Sequence, residues 1–97
     1  MCYNGISEKL LEEIRWWAKQ DGVEKVILFG SRSRGDFRKA SDIDLAIRGG
    51  NYINFVLHME EETSTLLKYD IVNLEGSIQP ELLESIQKEG IAIYEEI

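Results

Sequence analysis

Proline, cysteine and histidine are nearly missing from this chain, which has one of each, Pro80, Cys2 and His58, in 97 residues. With so little proline, and no repeat or low-complexity tract, no linker divides the sequence, which reads as one domain over residues 1–97. A lone cysteine cannot close an internal disulfide, so a disulfide-stapled secreted scaffold is excluded and Cys2 reads as an isolated thiol. No stretch approaches the ~20 apolar residues of a membrane span, and no basic flank precedes an apolar run near the start. These absences point to a cytoplasmic protein with no membrane partner. Basic residues are also in the minority, eleven Lys+Arg against eighteen Asp+Glu for a net charge of −7, which argues against direct nucleic-acid binding over the surface.

The charge is uneven. Between Arg32 and Arg48 lie five basic residues and three acids, a local charge of +2 that leaves −9 for the rest of the chain. Hydrophobic residues make up 43% and charged ones 30%, enough for a folded core of modest size but not for a second substrate lobe.

Hydrophobic periodicity sets the elements. Ser7 can cap a helix over about residues 8–20, with Leu10, Leu11, Ile14, Trp17 and Ala18 at helical spacing and Asp21-Gly22 as its stop. Val23 to Phe29 is a buried strand between two glycines. Asp42 to Ile47 alternates, with Asp42, Asp44 and Ala46 on one face and Ile43, Leu45 and Ile47 on the other. A second helix starts at Tyr52 and is expected to end near Lys68, and a strand follows from Tyr69 to Leu74. Pro80 opens a third helix, Gly90 ends it, and Ile91 to Tyr94 is the last strand. The order α-β-β-α-β-α-β predicts an α/β (α+β) fold of about four strands in a small mixed sheet, with three helices covering the apolar side of the strands. His58, inside an apolar helical run, reads as a packed side chain rather than a catalytic one. Of the adjacent pair Trp16 and Trp17, the second fits the core stripe.

Three features with chemical meaning coincide around the second strand. Gly30-Ser31 at the end of the first strand allows close backbone approach and could cradle phosphate. Asp42 and Asp44, two residues apart on a strand, project from one face with Cα atoms about 6.5–7 Å apart, suited to sharing hard cations. Two like charges on one face of a strand are unfavourable without cations or basic neighbours. Asp70, opening the next strand, is the best third acid for a two-metal site, whose cations about 3.5–4 Å apart stabilise the attacking and leaving oxygens of an in-line displacement. The glycine spacing of Gly30-x₄-Gly35 is that of a P-loop, but Asp36-Phe37 stand where Lys and Ser/Thr are required.

The spacing Gly30-Ser31, ten residues, then Asp42-x-Asp44, within GSRSRGDFRKASDIDLAI, resembles the signature of the DNA polymerase β-like nucleotidyltransferase superfamily and its minimal, single-domain branch. The resemblance implies that Gly30 and Ser31 hold the β- and γ-phosphates of a nucleoside triphosphate. It implies Asp42 and Asp44 as ligands of Mg²⁺, with Mn²⁺ as an alternative, and Asp70 as the third catalytic carboxylate by its position on a strand. Arg34 lies inside the matching stretch and is assigned a phosphate contact. In the minimal branch the partner is a separately encoded all-helical HEPN protein, and some pairs are toxin and antitoxin, the nucleotidyltransferase adding AMP from ATP to a toxin tyrosine. That reading expects an external acceptor for so short a chain and leaves homo- and hetero-oligomers open. A non-catalytic module that neutralises or scaffolds a helical partner by contact is the alternative, and transfer to a small molecule is the third.

Overall fold

The computed structural model describes the backbone of residues 2–96, with side chains from residue 4; the thiol of Cys2 lies outside the described residues. A short hairpin pairs β1, Cys2–Tyr3, with β2, Ile6–Ser7. Ser7 then accepts a hydrogen bond from the Leu10 N–H at 3.1 Å and caps α1, Glu8–Gln20, satisfying an amide that the first turn cannot. β3, Lys25–Phe29, leads into a one-turn helix α2, Ser31–Arg34. β4 is Ile43–Arg48, α3 is Tyr52–Glu62 and β5 is Tyr69–Asn73. α4, Pro80–Glu89, begins on the expected proline, and β6, Ile91–Glu95, closes the sheet.

The four-stranded sheet has the order β5-β4-β3-β6, with β4 and β5 parallel and the other neighbours antiparallel. The mixed α+β fold is as expected, with four corrections. The chain has four helices among the described residues, α2 being a single turn between β3 and β4, and a terminal hairpin that apolar periodicity does not reveal.

The second helix stops at Glu62 rather than near Lys68. Thr63 is already extended, and the Ser64 N–H and hydroxyl both donate to the Glu13 carboxylate at 2.9 Å, drawing the chain off the helix axis. Leu66 and Leu67 keep an apolar pattern, yet Leu66 is fully exposed and only Leu67 packs on the core.

The helices also do not share one face. Val26 and Leu28 of β3 and Ile43, Leu45 and Ile47 of β4 join Leu10, Ile14, Ala18, Phe55 and Met59 in the main core beneath α1 and α3. The alternate residues Phe29 and Ala46 join Ile86 of α4 in a second cluster, because successive strand side chains point to opposite faces. α4 therefore covers the face that carries Asp44. At its end Gly90 admits no side chain, since a Cβ would collide with the Ile86 carbonyl and the Ile27 side chain.

On the α1–α3 face, the His58 ring stacks on Trp17 with centroids 3.8 Å apart, and its Nδ1 lies 2.7 Å from the Asp21 carboxylate. It joins the two helices, as a packed side chain does. Trp17 lies against the core, while Trp16 is 55% exposed. No helix among the described residues is long and apolar enough to cross a membrane.

Candidate active site

Strand register brings two of the three singled-out acids together. Asp44 and Asp70 are direct Cα partners across the parallel β4–β5 pair, and Asp44 is also the partner of Phe29, the residue before Gly30. The end of β3, the start of β4 and the start of β5 thus meet at one corner, on the face that α4 covers. Asp42 stands one residue before β4, exposed, and its charge acts on Asp44.

Gly30 has φ +76°, a conformation open to glycine and strained for other residues, and a Cβ there would fall on the Asp44 carboxylate. The glycine that allows the backbone to turn into α2 therefore also lets it lie against Asp44. Ser31 opens α2, and the Ser33 hydroxyl donates to the Gly30 carbonyl at 2.9 Å, fixing the turn.

Burial, then the neighbouring charges of Asp70 and Asp42, push the Asp44 carboxyl up to about 6, with Arg34 and Arg32 acting in the opposite direction. Like charges gathered in a half-buried corner favour either a proton or a cation. Among the described residues, however, no three His, Cys, Asp or Glu side chains close into a ready cation site. The oxygen donors of Asp44, Asp70 and Asp42 fit the chemistry of a hard divalent ion, while the backbone supplies a corner rather than a finished cage.

The basic stretch divides by burial. Arg32 is 1% exposed and is part of the framework. Its Nη2 and Nε donate to the Ser41 carbonyl at 2.8 and 3.3 Å, its Nη1 donates to the Asn4 carbonyl at 3.3 Å, and the guanidinium lies 4.9 Å from the centre of the Phe37 ring. It ties the loop before Asp42 to the terminal hairpin, a role that its polar neighbours in the sequence give no sign of. Arg34 is exposed; its Nε lies 3.2 Å from Asp36 and its Nη1 2.9 Å from Glu89 of α4, and these hydrogen-bonded carboxylates raise its pKa. Arg38 and Lys39 are exposed on the loop. Glu89 is the residue that sequence reading missed, since its pairing with Arg34 spans 55 positions.

A groove of about 480 Å³ lies between α4 and the sheet, lined by Ile27, Leu74, Leu83, Ile86 and Ala92 among others, and none of the three acids lines it.

Against known proteins, residues 12–96 match the family model described as polymerase beta, nucleotidyltransferase. A curated chain of Methanocaldococcus jannaschii named "Putative protein adenylyltransferase MJ0604" is 44% identical over 50 residues, which are 52% of this chain and 48% of that one. The chain thus spans about half the length of that curated relative. In fold, it is similar to a toxin-antitoxin crystal structure with AMP-PNP, at TM-score 0.67 and 21% identity, covering 89% of this chain and 73% of the other. It is also similar to a mutant of the toxin-antitoxin MntA-HpeT, at TM-score 0.66 and 19% identity with the same coverages, 89% and 73%.

Proposed function

The chain belongs to the polymerase beta nucleotidyltransferase family, and on that premise we propose that it transfers AMP from ATP to a hydroxyl of a partner protein. The acceptor in this reading is a tyrosine of an all-helical HEPN toxin, which makes the chain the antitoxin of a pair. The observation that carries the proposal is the meeting of Gly30, Asp44 and Asp70 at one corner of the sheet, with Asp44 held high by burial and by its acidic neighbours. The relative named for protein adenylylation and the AMP-PNP-bound toxin-antitoxin neighbour support a nucleotide donor and a protein acceptor.

In this reading Gly30 and Ser31 bind the β- and γ-phosphates through backbone amides and the hydroxyl, and Arg34 meets the triphosphate from the end of α2. Asp42, Asp44 and Asp70 would hold Mg²⁺, which when bound supplies charge neutralisation for the phosphoryl oxygens. Asp70, at the open start of β5, accepts the proton of the acceptor hydroxyl. The acceptor oxygen bonds to the α-phosphorus, the bond from that phosphorus to the bridging oxygen breaks, and pyrophosphate leaves with the electron pair.

The test offers the purified chain labelled ATP, Mg²⁺ and the protein encoded beside it. Label on a tyrosine of that protein, lost with Asp42→Ala/Asp44→Ala, is the expected result. No transfer by a wild-type chain that binds Mg²⁺ normally overturns it. Full protection against the toxin by the double variant would assign neutralisation to contact instead.

A further inference from the structure

Glu89 is placed badly for a carboxylate on its own account. It is the last residue of α4, where the unpaired carbonyls form the negative end of the helix and favour a cation. Its neighbour Lys88 gives no relief, being paired with Glu84 at 3.0 Å. The charge that Glu89 does meet is Arg34, 2.9 Å away across the face of the sheet that holds Asp44.

Arg34 in turn is shared between Glu89 and Asp36, and its side chain is 44% exposed. Exposed ion pairs are weak and exchange readily. Arg34 ends the single-turn helix that starts directly after Gly30, whose backbone lies against the Asp44 carboxylate, so the guanidinium stands one helical turn from the acidic corner. A triphosphate arriving there offers more negative charge than one carboxylate, and phosphate oxygens match the guanidinium fork.

We propose that Glu89 is a positioning residue for the nucleotide: it holds Arg34 at the edge of the site and releases it to the incoming triphosphate. Glu89 thereby sets how tightly the site takes a triphosphate, and does so through Arg34 alone. The inference rests on the reading of Gly30-Ser31 as the phosphate site. It also bears on selectivity, because AMP has no β- or γ-phosphate to draw Arg34 away.

Calorimetric titration with Mg²⁺ and either ATP or AMP tests it on the full chain. Glu89→Gln is expected to tighten ATP by about two- to fivefold, the worth of an exposed ion pair no longer to be broken, and to leave AMP unchanged. Arg34→Ala weakens ATP, and the Arg34→Ala/Glu89→Gln double variant binds as Arg34→Ala does. Glu84→Gln, the same change of charge on the same helix, leaves ATP affinity as it was, and Glu89→Asp restores it to the wild-type value. In the transfer assay Glu89→Gln lowers the KM for ATP without changing kcat. An unchanged ATP affinity in Glu89→Gln, or a tightening that persists without Arg34 or is reproduced by Glu84→Gln, overturns the inference while nucleotide binding by the wild type keeps the functional reading intact. A wild-type chain that binds no ATP overturns both.

Discussion

At Asp44, burial and the charges of Asp70 and Asp42 hold the carboxyl at about 6, against an ordinary value of 3.8. A carboxyl raised in the folded state costs stability when ionised: above pH 6 it is charged in both states and only the folded chain bears the repulsion. As pH falls through 6 the folded protein binds a proton first, so the cost is relieved progressively and is gone below about 3.8. Asp44→Asn is therefore expected to raise the Tm of the metal-free chain at pH 8, by the equivalent of about 1–2 kcal/mol after allowing for solvent screening. The gain should shrink between pH 6 and 4 in a thermal melt series. A variant less stable than wild type at pH 8 would show that the acid is compensated by contacts on which the fold depends. The same substitution removes the carboxylate that β4 presents to the corner, so stability and nucleotide transfer are expected to move in opposite directions.

Of the three long helices, α4 buries the least. Ile86 is its one buried residue, while Leu82 and Leu83 are over a third exposed. Ile86 fills the space over Phe29 and Ala46, and Gly90 brings the helix end down onto Ile27. Ile86→Ala is expected to lose about 2–4 kcal/mol, the transfer of the lost methyl groups plus the cavity they leave. Hydrogen exchange should locate the loss first in α4, with α1 and α3 protected by the larger core. If α1 and α3 open together with α4, the two faces fold as a single unit. Because Glu89 ends α4, loosening this helix is also expected to free Arg34 in part.

Across the molecule, a net charge of −7 and the facing pair Asp44 and Asp70, with Asp42 just before β4, predict that a divalent cation favours the folded chain over the unfolded one. Millimolar Mg²⁺ is expected to raise the Tm of the wild type by several degrees, beyond the effect of NaCl at equal ionic strength, and to leave Asp42→Ala/Asp44→Ala unmoved. Equal shifts in both proteins would place the effect in general screening of surface acids. The molecule that carries this corner measures 32 × 29 × 24 Å, and Asp42 and Asp70 are exposed there, so the corner is open on the side away from α4.

Much of this was written in local sequence. The helical spacing from Leu10 to Ala18, the cap at Ser7 and the stop at Gly90 depend on neighbours a few residues away, and the structure reproduces them; the strand expected from Asp42 to Ile47 forms at Ile43–Arg48, with Asp42 just outside it. The sequence by itself also singled out Gly30, Ser31, Asp42, Asp44 and Asp70, since a glycine turn and paired acids are chemical statements before they are spatial ones. Only the tertiary structure decided that Asp44 faces Asp70 in register, that Arg32 is buried among carbonyls, that α4 crosses to the acidic face and that Arg34 is held by Glu89. Each of these joins residues far apart in the chain. Periodicity says which side of an element is apolar, but strand pairing and burial say what that side meets, and the sum of those contacts is what the sequence leaves implicit.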